Sequence, residues 1–142
     1  MKVRFATTAD AEHIAGLSVQ LGYPTTVADT ARRLNEVGGN GEHAVIVAEN
    51  SGLLLGWVHV LVSHSLLADA RAEIAGLVVD EQHRGSGIGR TLMENAEHWA
   101  RKQGCSSVRL RSNVLRPDAH TFYERLGYRV TKLQKTFCKD LT

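Results

Sequence analysis

The run His83-Arg84-Gly85-Ser86-Gly87-Ile88-Gly89-Arg90 sets three glycines and a serine between two arginines, directly after the apolar stretch Ile-Ala-Gly-Leu-Val-Val at 74–79 and directly before apolar residues at helical spacing. A strand, a bare turn and a helix in that order leave the first N–H groups of the helix unpaired and put the positive end of its dipole there, which makes an anion site. Glycine at 85, 87 and 89 removes the Cβ atoms that would hold an anion off the main chain; the competing reading is a tight turn that needs glycine for its dihedrals alone. Ser86 and Ile88 supply main-chain N–H groups between them, and Arg84 and Arg90 add charge on either side. Two familiar phosphate loops are excluded by spacing. No lysine follows as in G-x-x-x-x-G-K-[ST], and Arg90 stands where G-x-G-x-x-G needs its third glycine.

The rest of the chain supplies the elements around this loop. An alternating strand at 2–6 leads to Thr7 and Asp10, a capping pair that opens a helix over 8–20, and Thr26 with Asp29 repeats the pattern for a helix reaching Val37. Strands at 43–49 and 53–63 flank Asn50-Ser51-Gly52, a hairpin signal, and a further strand covers 71–79. After the loop, Ile88, Leu92, Ala96 and Trp99 mark a helix ending near Gly104, followed by a strand at 106–113, a short helix from Pro117 or Asp118 to Gly127, and two strand-like pieces in the tail. At 142 residues this is one domain, 1–142, of mixed α/β architecture, with helices packed on the faces of a sheet.

Charge is unevenly distributed. Residues 1–83 hold five basic and ten acidic side chains, whereas 84–129 hold nine basic and four acidic. The second half therefore suits an anion and the first half a cation. A nucleic-acid surface would be basic throughout with interleaved aromatics, so no nucleic-acid partner is expected. No apolar stretch nears the roughly 20 residues that span a bilayer and no signal-peptide core opens the chain, so the expected location is cytoplasmic, off the membrane. The seven histidines show no metal-type spacing among themselves or with Cys105 and Cys138, which read as structural thiols; no metal is expected.

Arg84-Gly85-Ser86-Gly87-Ile88-Gly89 fits R-x-x-G-x-G, and the segment from Asn113 to Tyr128 fits N-x(5)-A-x-x-[FL]-Y-E-x-x-G-[FY] through Ala119, Phe122, Tyr123, Glu124 and Gly127. With both motifs the chain resembles the GNAT superfamily of N-acetyltransferases over nearly its whole length. The resemblance implies the acyl-CoA N-acyltransferase fold: a mixed, mostly antiparallel sheet of six or seven strands with about four helices on its faces. It implies an acetyl-CoA-dependent N-acetyltransferase in which the loop cradles the pyrophosphate and the backbones of Leu77, Val78 and Val79 meet the pantetheine arm. It also implies that Asn113 bonds the pantetheine amides, unless it only caps the turn before Pro117. Tyr123 is the implied proton donor to the departing thiolate as well as a packing ring, and Phe122 is either core or thioester wall.

Glu73 occupies a stretch similar to one in which members of this superfamily carry a catalytic glutamate. It stands as general base, water-relay member, anchor for a cationic substrate, or plain strand-edge charge; His59 and His120 are lesser proton carriers. The acceptor implied is a primary amine, cationic to match the acidic first half. Homodimers are common in this superfamily, although nothing in the sequence demands one. The alternative to an enzyme is an acyl-CoA-binding sensor on the same fold.

Overall fold

A computed structural model of the chain describes residues 1–112 and 116–142, which form two compact units, Met1–Arg111 and Ser112–Thr142. The first unit opens with β1 (Lys2–Phe5), one 3-10 turn (Thr8–Asp10), α1 (Ala11–Gln20) and α2 (Val27–Gly38). It continues through β2 (His43–Asn50), β3 (Leu53–Ser63), β4 (Arg71–Val79), a 3-10 turn (Glu81–His83), α3 (Ile88–Lys102) and β5 (Val108–Leu110). The five strands lie side by side in chain order, antiparallel except for the parallel pair β4–β5.

Local chemistry sets the element ends. The Asp10 carboxylate accepts the Thr7 N–H at 2.8 Å and Thr26 Oγ1 accepts the Asp29 N–H at 3.0 Å, so both expected helix starts are capped. Ser51 (φ 51) and Gly52 (φ 82) are both left-handed, the backbone that a two-residue hairpin needs to match strand twist. Ile14 and Leu17 of α1 pack on Val47, Leu54 and Val78 on one face of the sheet. On the other face α3 buries Leu92, Met93, Ala96 and Ala100. Gly56 admits that helix: a Cβ there would lie 2.7 Å from the Val78 carbonyl oxygen and 3.1 Å from Leu92 Cδ1.

One ion-pair network ties the start of the chain to the sheet. Arg4 on β1 grips Asp10 with two nitrogens, at 2.8 and 2.9 Å, and reaches Glu49 of β2 at 3.2 Å. Asp10 is 5% exposed, and the Arg4 guanidinium holds its carboxyl below the usual range.

The second unit carries α4 (Pro117–Arg125), with Pro117 at its first position and Gly127 (φ 94) past its end. The Tyr123 ring meets Phe122 and Tyr128 edge-on, with centroids 5.1 and 6.0 Å apart. Among the described residues the sheet has five strands where six or seven were expected. No residue of 128–142 is in a strand; Val130, Leu133, Phe137 and Leu141 are exposed, and a patterned segment without a paired neighbour does not hold strand geometry by itself. The strand expected at 106–113 shrinks to three residues, because its pairing with β4 stops at Ile74↔Leu110.

Asp10→Asn removes the charge that Arg4 is built around and is expected to lower stability by about 2 kcal/mol at neutral pH, measured by denaturant unfolding. Because the folded carboxyl titrates below its unfolded value of 3.8, the wild-type contribution is complete above that value and is lost as pH falls further. The variant loses that acid dependence.

Candidate active site

The site begins with a miscount between β3 and β4. Gly76 pairs with His59 and Ile74 with Val60, so Ala75 has no partner and bulges out of the ladder. On the other side β5 follows β4 only from Ala72 to Ile74. From Ala75 to Val79, then, the described residues pair β4 with β3 alone and leave the second edge of the strand with free N–H and C=O groups. Leu77, Val78 and Val79 line this free edge; Val78 is buried against α1, and its two neighbours are half-buried.

That edge runs directly into the glycine loop. Asp80 organises the turn: its carboxylate accepts from Gln82 N–H at 3.3 Å, Gln20 Nε2 at 3.3 Å and His83 Nδ1 at 3.1 Å. Gln20, at the end of α1, also accepts the Glu81 N–H at 2.9 Å, so α1 fixes where the loop starts. Ser86 Oγ donates to the His83 carbonyl. Gly85 (φ 81) and Gly87 (φ 86) are left-handed, and a Cβ on either would meet nothing within 4 Å. Backbone conformation, not crowding, therefore requires glycine here, and open space lies above the loop. Gly87 is the N-cap of α3 and no side chain caps the helix, while Ile88 is buried and anchors its first turn. Arg84 and Arg90 are exposed, and Arg90 is held only by a 3.7 Å contact with Glu94, too weak and wet to keep it from an anion.

Toward the start of β4 the same face of the sheet turns polar. The Trp57 ring lies over Gly76, where a Cβ would come within 2.8 Å of it, and Trp57 Nε1 is buried without an acceptor among the described residues. His59, directly across from Gly76, is hydrogen-bonded through Nε2 to His43 Nδ1 at 2.9 Å. Burial, helped by the neighbouring His43, pushes the His59 pKa down to about 4, so its ring is neutral at pH 7. Glu73 pairs with Arg109 across the β4–β5 ladder, and its Oε1 takes Arg111 at 2.8 Å and Arg109 at 3.8 Å. It stands at the far end of the strand, about 20 Å from Val79 at 3.3 Å per residue.

The second unit holds the remaining expected residues. Ala119, Phe122 and Tyr123 sit on α4; burial raises the Tyr123 phenol above its ordinary value of 10.0, so its proton stays on. Asn113 lies outside the described residues. Sequence reading missed the His43–His59 pair as a unit, because only the β2–β3 register brings 43 and 59 together. Among the described residues no three metal-ligating side chains converge, and no helix is long and apolar enough to cross a membrane.

Residues 13–128 match the Acetyltransferase (GNAT) family. The chain belongs to that family. An aminoglycoside N(6')-acetyltransferase type 1 from Stenotrophomonas maltophilia is 28% identical over 135 residues, covering 92% of this chain and 87% of the relative. Mouse N-acetyltransferase 8 is 33% identical over 108 residues, but the match spans 46% of that protein; for human N-acetyltransferase 8 it spans 40%. This chain thus answers to less than half the length of those mammalian members. Among solved structures, a transcriptional regulator from Bacillus halodurans C-125 shares the fold with a TM-score of 0.88, 26% identity and coverage of 97% and 99% of the two chains. The aminoglycoside acetyltransferase AAC(6')-Iy, solved with a bisubstrate analogue of CoA, has a TM-score of 0.88 at 17% identity, over 98% of this chain and 97% of that one. At that identity the likeness is one of GNAT fold.

The neutral, buried His59 ring is open to a direct check. Its imidazole resonances, followed by NMR from pH 7 downward, should titrate near 4 and well below the usual 6.5. An imidazole that gains its proton only below pH 5 in the fold but near 6.5 when unfolded also makes stability fall as pH drops from 6.5 toward 4. His59→Gln should remove that part of the pH dependence.

Proposed function

We propose that this protein is an acetyl-CoA-dependent N-acetyltransferase that moves the acetyl group to a primary amine of a small molecule or peptide, with 1–142 working as one catalytic domain. The observation that carries this reading is the free edge of β4 from Ala75 to Val79 running straight into an uncapped helix start flanked by Arg84 and Arg90. An elongated molecule with amides along its middle and a diphosphate at one end fits such a surface. The amides take the N–H and C=O groups of Leu77 and Val79, which face the free edge on either side of Val78, whose own groups bond β3. The pyrophosphate takes the N–H groups of residues 85–90 and the two guanidiniums. Family membership, together with the CoA-based bisubstrate analogue held by AAC(6')-Iy on the same fold, supports the same cosubstrate.

The acetyl thioester would then reach the bulge at Ala75 and Gly76. Acetyl transfer forms the C–N bond, breaks the C–S bond, and needs one proton taken from the amine and one given to the thiolate. His59 stands opposite Gly76 with a neutral ring that can accept a hydrogen bond from the attacking amine; with a pKa of about 4 it is too weak a base to keep the proton, which in this reading passes on to solvent. Glu73 is in contact with two arginines, and a proton arriving there would have to displace Arg111, so its role in this reading is electrostatic. The thiolate's proton is assigned to Tyr123 on the strength of its motif and its protonated phenol.

Thiol release from acetyl-CoA in the presence of an amine panel tests the reading, with calorimetry of CoA binding beside it. The expected outcome is micromolar CoA binding by the wild type and loss of binding by Gly87→Glu, which puts bulk and negative charge at the helix start. Undiminished binding by a folded Gly87→Glu protein contradicts the loop assignment.

A further inference from the structure

The acidic first half of the chain is largely committed to internal pairs. Asp10 and Glu49 bind Arg4, Asp29 and Glu36 bind Arg32, Glu42 binds His64, Asp80 binds His83, and Glu73 binds Arg111. These contacts place the acidic side chains without neutralising them: Arg4 and Arg32 each meet two carboxylates, and the acidic excess of 1–83 remains. At the start of β4 the balance is reversed. Arg71, paired with Ser63, and Glu73, paired with Leu61, share the sheet face of His59; Arg109 joins Glu73 from β5, and Arg111 follows two residues later. Two guanidiniums, Arg109 and Arg111, meet this one carboxylate, and Arg71 on the same face makes no ion pair among the described residues.

Arg109 is the informative member. Its Nε–H is buried and finds no acceptor among the described residues, while its Nη2 sits at a loose 3.8 Å from Glu73. Because that N–H is shielded, a ligand meets Arg109 at its two Nη groups, the part of a 26% exposed side chain that Glu73 holds only loosely and that can face two carboxylate oxygens.

We propose that the acceptor is an amine bearing a carboxylate next to its nitrogen, an α-amino acid or a derivative with its carboxylate free, held by Arg109 with Arg111 and Arg71 beside it. This rests on the reading of β4 as the strand that carries the thioester. The Glu73–Arg109 pair lies two residues from Ala75, about 6–7 Å along the strand, a gap that an arginine side chain spans. In an α-amino acid the nitrogen and the carboxylate carbon are separated by a single carbon. Seating the carboxylate on Arg109 therefore brings the nitrogen toward the bulge and the His59 ring opposite Gly76. An anion set farther from its amine, as in a phosphorylated amino sugar, does not meet both groups so directly.

Matched acceptors provide the test: L-phenylalanine against L-phenylalaninamide and phenethylamine, L-lysine against cadaverine, and glucosamine 6-phosphate as the distant-anion control, each with acetyl-CoA in a thiol-release assay. The free carboxylate should raise kcat/KM by at least about tenfold over its neutral partner, mostly through KM. Arg109→Lys keeps the charge, loses the fork and should narrow that ratio; CoA calorimetry on the same variant reports that it is folded. Preference for the amide, the diamine or the phosphate overturns the proposal, as does a ratio that Arg109→Lys leaves unchanged. CoA binding with no turnover of any carboxylate-bearing amine also overturns it while leaving the cosubstrate reading standing. Failure to bind CoA removes the cosubstrate reading itself.

Discussion

Ala75 is one residue more than β3 can pair, and the site depends on that excess. With Gly76 held against His59 and Ile74 against Val60, the strand must bend at Ala75, and the parallel partner β5 follows it no farther than Ile74. An unpaired strand edge is ordinarily a liability, since it invites aggregation. Among the described residues it runs from Ala75 to Val79, ends in a glycine loop and is backed by a buried Val78, which keeps its outward hydrogen-bonding groups in line. The bulge divides β4 into an end that leads to the glycine loop and an end lined by Glu73, Arg109 and the two histidines.

The supporting structure keeps those two ends in register. Gln20 at the end of α1 bonds both Asp80 and the Glu81 N–H, so the helix that covers Val78 also sets where the loop begins. On the opposite face Gly56 lets Leu92 of α3 come close beneath β3, and the helix whose N-terminus would face the pyrophosphate is fixed by that packing. The site is thus assembled mostly from backbone. Glycine is required at 76 by the Trp57 ring over it and at 85 and 87 by their left-handed backbone.

Legibility in the sequence followed the range of the interactions. Thr7 with Asp10, Thr26 with Asp29, Ser51-Gly52 and Pro117 act within a few residues of themselves, and the elements they bound stand where their pattern put them. The strand-to-helix turn at the glycines was legible for the same reason: the residues that make it are consecutive. The bulge at Ala75 was not legible, because nothing in Ile-Ala-Gly-Leu marks a skipped pairing; it exists only relative to His59 and Val60. The His43–His59 pair and the Arg109–Glu73 contact likewise depend on register between strands distant in the chain. Net charge was legible only as a sum: that Arg4 stands between Asp10 and Glu49, and Arg32 between Asp29 and Glu36, depends on the fold.

The most direct test of the account is amide hydrogen exchange with and without CoA. If the free edge of β4 and the loop after it together hold the cosubstrate, CoA should slow exchange at 75–79 and at 85–90, and leave β1 and the β2 side of the sheet unchanged. Protection confined to the loop, or centred anywhere other than these two stretches, would contradict the claim that the bulge at Ala75 creates the binding edge.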